Sequence, residues 1–355
     1  MHRLGYDHVS VDRHGSVIGQ VVGTAGPGPH LLFDGHLDTV PATSEHLWRH
    51  PPLGAEIADE TVWGLGAADM KGPLAAMLCA AADVPRDRLH GTVTVSCSVA
   101  EERLEGAALA AIVDAFDDTA PVDMVVIGEG TEHQVGVAQK GRAGITVTTT
   151  GRSAHSSTPG EGVNAVYAMV DAVARIRATP LINDPVLGPA VMELTEIVSA
   201  PRPGSGMIPN RCTSIWDRRV VRGETADTVL GELRAAVACV PGAEVAFEAA
   251  AVRSWTGSTL SLPASFHAAW EVDPRCRLVE AALEAVAATG GRPATRALPY
   301  STNGSVCAAE RQLPTIILGP SDPALFHVVD EHITVADLER GCAIYSGLIE
   351  RVLCD

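Results

Sequence analysis

The feature that most constrains the fold of this chain is an alternation. Short β-branched apolar runs at Val17–Val22 and residues 31–33, 92–99 and 122–127 take turns with alanine-rich stretches at residues 73–82 and 104–116. Apolar runs of strand length read as buried strands, and the alanine-rich stretches read as helices. Strands that alternate with helices specify an α/β sheet covered by helices. In such sheets the chemistry gathers at strand ends and on the loops that follow them.

From Gly141 the pattern changes. A threonine-rich run at residues 145–150, a helix over 163–178, strands at 192–198 and 213–221, a helix over 225–238 and a strand at 243–247 follow in the order βαββαβ. Helical and apolar segments return at residues 276–287, 314–318 and 336–353, the last opened by Thr334 and Asp337 in capping-box spacing. The chain therefore reads as an α/β domain in two segments, 1–140 and 255–355, with a smaller βαββαβ domain at 141–254 inserted between them. A length of 355 residues with 46% hydrophobic content is enough for two cores.

Charge narrows the partners. With 26 basic against 43 acidic residues, a formal charge of −17 argues against nucleic acid and against an anionic membrane. The N-terminal residues show no apolar leader and no run approaches membrane-spanning length, so the expectation is a soluble cytoplasmic protein. Eight cysteines occur with no Cys-x-x-Cys pair, which predicts reduced thiols packed as small hydrophobes. The chain keeps only two lysines, Lys71 and Lys140, in a sequence that otherwise uses arginine. Each reads as a position where an ammonium is wanted and a guanidinium fork is not.

Candidate ligands stand at the ends of the apolar runs. His36 and Asp38, two residues apart in an extended segment, point to one face, so that Asp38 can accept a hydrogen bond from one imidazole nitrogen while the other binds metal. Asp69 lies in a glycine-flanked turn ahead of a helix, where its carboxylate can bridge two cations. Glu101 and Glu102 follow the run that ends at Val99, and Glu129 follows the run that ends at Ile127. Taken singly each has a bland reading: a structural pair for His36 and Asp38, an N-cap for Asp69, a solvated pair for the two glutamates. Taken together, imidazole and carboxylate ligands suit zinc, which makes hydroxide from water near neutral pH.

The segments Gly35-His36-Leu37-Asp38-Thr39-Val40-Pro41, Gly66-Ala67-Ala68-Asp69-Met70-Lys71-Gly72 and Glu101-Glu102 make the chain resemble, over nearly its whole length, a family of zinc amidohydrolases and exopeptidases. That family includes aminoacylase, acetylornithine deacetylase, succinyl-diaminopimelate desuccinylase and glutamate carboxypeptidase. Within it, Ser254-Trp255-Thr256-Gly257, Asp217-Arg218-Arg219 and Ser301-Thr302-Asn303-Gly304 look most like the branch of selenium-metabolism-linked hydrolases. The resemblance implies an α/β/α catalytic domain with a ferredoxin-like lid that also dimerises. It implies that His36 and Glu129 hold one Zn²⁺, that Glu102 and His327 hold the other, and that Asp69 bridges them, with Co²⁺ or Mn²⁺ as possible substitutes.

Further roles follow from the same resemblance. Glu101 becomes the general base, Asp38 orients His36, and His155 reaches across a homodimer interface to stabilise the oxyanion. Arg219, with Arg142, docks a substrate carboxylate through a bidentate fork, and Asn303 joins the substrate contacts. The family often holds the peptide after its bridging aspartate in cis, which predicts a cis bond between Asp69 and Met70. Two departures stand out. The chain starts near Leu4-Gly5-Tyr6, without the first helix most relatives carry, and Gly206 occupies the place of an asparagine that contacts substrate in the desuccinylases. The function expected is hydrolysis of the amide bond of a small N-acyl amino acid or dipeptide. The rivals are an exopeptidase on longer peptides and a silent relative that binds an amino-acid derivative, and the retained Glu101 speaks against the second.

Overall fold

In a computed structural model that describes residues 1–117 and 120–354, the alternating runs assemble into one large sheet. Its first segment supplies β1 (His8–Val11), β2 (Val17–Val22), β3 (Gly26–His36), β4 (His90–Ser98), β5 (Met124–Ile127) and β6 (Val135–Gln139). The chain then builds a second sheet from β7 (Gly141–Thr150), β8 (Val191–Ala200), β9 (Arg211–Val220) and β10 (Ala243–Phe247). It returns with β11 (Trp270–Glu271), β12 (Thr295–Leu298) and β13 (Thr315–Ile317). The large sheet runs in the order β1-β2-β4-β3-β5-β13-β6-β11, with β12 also paired to β6. Its centre, β4-β3-β5-β13, is parallel.

Parallel strands are covered on both faces and so read as continuous apolar runs. Leu31, Leu32 and Phe33 of β3 are fully buried, each contributing about 1.5–3 kcal/mol. Helices α1 (Gly72–Asp83), α5 (Arg277–Ala288) and α6 (Val335–Leu353) bury Leu31 and Phe33 on one face. Helix α2 (Ala107–Asp114) buries Leu32 on the other. Pro73 fits the first turn of α1, where its missing N–H costs nothing, and the Thr334 hydroxyl accepts the Asp337 amide at the start of α6. Among the described residues, no helix is long and apolar enough to cross a membrane and no two cysteines are joined in a disulfide.

The second sheet is antiparallel in the order β8-β9-β7-β10, the ferredoxin-like arrangement for a βαββαβ unit. Helices α3 (Ala165–Arg177) and α4 (Ala226–Val237) close one face over Ile145, Val147 and Trp216. Strand β9 alternates strictly, burying Cys212, Ser214, Trp216, Arg218 and Val220. Period two therefore sends Asp217 and Arg219 to the opposite face. The way back is gradual: Val252 and Leu260, from the hairpin of Ala250–Arg253 and Thr259–Leu262, pack against Leu104 and against Ala108 of α2. Phe266–His267 then pairs with β7, and the chain re-enters the large sheet at Trp270.

Candidate metal centre and its cleft

All but one of the candidate ligands follow the carboxyl ends of the parallel strands. His36 is the last residue of β3, Glu101 and Glu102 follow β4, and Glu129 follows β5. Residue His327 lies on the loop after β13, and Asp69 lies in the turn ahead of α1. Two loop residues reach this arrangement through left-handed backbone, Ala100 at φ 60° and His327 at φ 59°. Such conformations in residues other than glycine persist where the surroundings over-determine them.

The side chains converge on two triads that share Asp69. The His36 Nε2 lies 3.1 Å from Asp69 Oδ1 and 3.4 Å from Glu129 Oε1. The His327 Nε2 lies 3.2 Å from Asp69 Oδ2 and 3.2 Å from Glu102 Oε1. Each group could hold one metal ion. Ligands placed tetrahedrally at 2.0–2.1 Å from zinc lie about 3.3 Å from one another, so this spacing fits a cation in each triad. The peptide between Asp69 and Met70 is cis, as the resemblance implies.

Electrostatics point the same way. Burial opposes a charged His36, yet its hydrogen bonds to Asp69 and Glu129 carry its pKa well above that of a free imidazole. Hydrogen bonds to Asp69 and Glu102 lift His327 to about 10. Burial alone would raise Asp69, but the two imidazoles bring it down to about 2. Glu129, desolvated and facing Asp69, is pushed up to about 7. Glu101 is raised well above the usual carboxylate range, first by desolvation and then, against the pull of His36, by the charges of Glu129, Glu105 and Glu102. So dense a set of carboxylates is what a bound cation compensates.

Asp38 works differently from the sequence expectation. His36 Nδ1 lies 2.9 Å from the backbone carbonyl of Asp38, while the nearer carboxylate oxygen is 3.8 Å away. The carboxylate instead accepts the amides of Glu101 at 3.1 Å and Glu102 at 3.2 Å. The reason is that β3 ends at His36, so the strand periodicity that would align the two side chains no longer applies. The tautomer of His36 is still fixed, with Nε2 left to face the triad.

Asn303 is a second correction. It does not line the cleft: its Nδ2 donates to Asp34 Oδ2 at 2.8 Å, and its Oδ1 accepts the Gly106 amide at 2.6 Å. Asp34, fully buried in β3, also receives Ser96 Oγ at 2.6 Å. This network props the strand ends from beneath and leaves the amide nothing to offer a substrate.

A cleft of about 280 Å³ opens over the triads, lined by Asp69, Glu101, Glu102, Glu129 and His327 together with Arg142 and Arg219. The two arginines are cross-strand partners on β7 and β9. Both turn to Asp217, Arg142 Nε at 2.8 Å and Arg219 Nε at 2.7 Å. Their neighbour Arg218 faces the core and pairs with Glu224 and Glu232. His155 is not brought to the cleft within one chain. It is exposed, with its Nδ1 2.7 Å from Ser157 Oγ in its own loop. Lys71 Nζ donates to the Leu37 carbonyl at 3.3 Å and buried Lys140 Nζ to that of Pro189 at 2.6 Å, single contacts that suit a point charge.

Several site residues escaped the sequence reading. Glu331 holds the Asp69 turn, Glu105 and Tyr300 line the cleft, and the Tyr300 hydroxyl donates to the Gly130 carbonyl at 2.6 Å. The usable signal lay in Glu105 and Glu331 being acids beside the segments already singled out.

The profile of peptidase family M20/M25/M40 matches residues 32–351. The chain belongs to this family. A succinyl-diaminopimelate desuccinylase of Maricaulis maris is 31% identical over 344 residues, covering 92% of this chain and 82% of its own length. The M20 metallo-carboxypeptidase Sso-CP2 of Sulfolobus solfataricus superposes with a TM-score of 0.75 at 14% identity, over 99% of this chain and 91% of that one. Human carnosine dipeptidase 1 does so with a TM-score of 0.71 at 15% identity, over 99% and 88%. Both structures share the fold. Membership of family M20 makes the chain a metal-dependent hydrolase, with the two triads as its candidate ligand groups.

Proposed function

We propose that the protein is a zinc hydrolase that cleaves the amide bond of a small N-acyl amino acid or dipeptide. The observation that carries this reading is Asp69, whose two oxygens face two different imidazoles in a cleft that also holds Glu101 and two arginines. A bound zinc pair, or Co²⁺ or Mn²⁺ in its place, supplies Lewis acidity and lowers the pKa of water. The chain's own residues do the rest. Glu101 belongs to neither triad and lines the cleft, where its carboxylate takes a proton from the attacking water and returns it to the leaving amine. Asp38 fixes the amides on either side of that base, and the arginine pair receives the substrate carboxylate.

The size of the cleft favours a small substrate over a long peptide, since it falls just below the usual range of about 300–1,000 Å³. Dimerisation through the second sheet is supported by its surface. Tyr167 and Val170 are exposed on α3, and β8 is an edge strand that exposes Val191 and Ile197. In such a homodimer His155 of one copy serves the cleft of the other as an oxyanion donor. The acidic charge and cysteines without disulfides support a cytoplasmic enzyme that binds neither nucleic acid nor membrane.

The test is metal analysis joined to a hydrolysis panel. Protein reconstituted with zinc, cobalt or manganese would be assayed on acetyl, succinyl and formyl amino acids, dipeptides and longer peptides. The expected result is metal in both triads, turnover of the small amides, and a Glu101→Gln variant that keeps its metal and loses turnover. Absence of metal, or turnover confined to longer peptides, overturns the reading.

A further inference from the structure

The cleft contains one carboxylate to which the hydrolytic scheme gives no task. Glu105 lines it beside Glu101, Arg142 and Arg219, is 7% exposed, and belongs to neither triad. Its Oε1 accepts the Ser301 hydroxyl at 2.5 Å. No hydrogen bond or ion pair reaches Oε2 among the described residues; Arg142, in the same cleft, turns its Nε to Asp217 instead. A buried carboxylate is costly unless a charge or several donors meet it, and one hydroxyl is a weak complement.

The position of Glu105 is fixed on both sides. Leu104 before it is buried, and the Gly106 amide after it is held by Asn303. A β-carbon on Gly106 would fall 2.4 Å from Val306 Cγ2, on a backbone at φ +76°. The carboxylate is thus pre-organised toward the cleft at a cost the fold has already met.

Charge then decides what it receives. Arg142 and Arg219 both pair with Asp217, and Glu105 and Glu101 act on Arg142 through space without an ion pair, so the paired group keeps one net positive charge, suited to one carboxylate. Glu105 with a neutral hydroxyl carries one net negative charge. We infer that Glu105 binds an ammonium group, so that the preferred substrates are zwitterions with a carboxylate on the arginine pair and an ammonium on Glu105. This rests on the hydrolase reading and narrows it. The ammonium is either the free amino terminus of a dipeptide or the side-chain amine of an N-acylated diamino acid.

Metal-loaded wild type and Glu105→Gln would be compared on two pairs of compounds: alanyl-alanine with its N-acetyl form, and Nα-acetyl-lysine with Nα-acetyl-norleucine. Wild type is expected to prefer the ammonium-bearing member of at least one pair by about tenfold or more in kcat/KM, a typical worth for a charged hydrogen bond. Glu105→Gln should erase that preference, read as the ratio within each pair so that any change at Glu101 cancels, while Glu105→Asp, which keeps the charge, should retain part of it. The pair that responds identifies the source of the ammonium. No preference in either pair, or one that Glu105→Gln leaves intact, overturns the inference. If neither pair is cleaved, the wider panel of acyl amino acids and dipeptides judges the hydrolase reading separately, and calorimetric binding of the same compounds to Glu101→Gln with and without Glu105→Gln judges Glu105 by the same ratios.

Discussion

Glu331 Oε1 lies 2.9 Å from the backbone nitrogen of Asp69 and takes the neighbouring amide of Ala68 at the same distance. From the other side the Ser321 hydroxyl donates to the Ala68 carbonyl at 2.6 Å. The segment between Ser321 and Glu331 carries His327, so the loop that presents one imidazole also grips the turn that presents the shared carboxylate. Replacing Glu331 with alanine should orphan two amides at about 1–3 kcal/mol each and loosen metal binding as well as the fold. Glu331→Gln keeps an acceptor oxygen and should cost far less. Urea unfolding with and without metal checks this, and equal losses for the two variants would refute it.

The metal-free protein should bind metal more tightly as pH rises. His36, raised well above 6.5, His327, raised to about 10, and Glu129, raised to about 7, all hold protons that ligation must expel. Each proton displaced makes the apparent affinity climb by up to about tenfold per pH unit. The stability of the metal-free fold runs the other way. For the two histidines the folded pKa exceeds the unfolded one, so their contribution is full below 6.5 and is lost as pH rises through the folded value. Glu129 adds a penalty that accrues between 4.5 and about 7. The gain in Tm on adding zinc should therefore be larger at pH 8 than at pH 6. Calorimetry and thermal scans at both values test it, and a gain that does not change with pH would sink it.

His36, Glu101, Glu102 and Glu129 were legible because they end apolar runs and Asp69 because glycines flank its turn, whereas His327 came from the resemblance alone. The misses have physical causes. Asp38 was aligned with His36 by strand periodicity, but the strand stops at His36 and the carboxylate turns to the amides of Glu101 and Glu102. Asn303 was placed among the substrate contacts by the resemblance, yet Thr302 and Asn303 are buried against the strand ends. Asp34 was the available clue, since an acid inside the apolar run of β3 requires neutral donors, and Asn303 is one of them. Glu331 acts on amides more than 260 residues away in sequence, a pairing no local pattern encodes.

Asn303 should matter for stability and not for substrate affinity. Asn303→Leu removes the donor to buried Asp34 and the acceptor for the Gly106 amide. Orphaning the Gly106 amide and weakening the shell of Asp34, which keeps only the Ser96 and Ser98 hydroxyls, should cost about 2–4 kcal/mol in denaturant unfolding. At temperatures where the variant remains folded, KM should stay within about twofold of wild type, because nothing that touches substrate has been removed. A raised KM with unchanged stability would restore Asn303 to the substrate contacts.

His155 poses the sharpest question about assembly. Within one chain it is exposed, its ring bonds Ser157 of its own loop and its backbone bridges to Met207, while the cleft of that chain is lined without it. If it serves the cleft of a second copy, His155→Ala should leave metal content and the fold intact and lower turnover by about a hundredfold or more, the typical worth of one oxyanion donor. Mixing decides between a donor in trans and a donor in cis. A chain with His155→Ala and a chain with Glu101→Gln are each inactive alone. In a hybrid dimer the cleft of the first chain keeps its base and receives an intact histidine from the second. Co-refolded mixtures should therefore recover about a quarter of wild-type activity, from half the dimers with one working cleft in two. No recovery in mixtures that sedimentation shows to contain hybrid dimers would place the histidine in cis or outside the chemistry altogether.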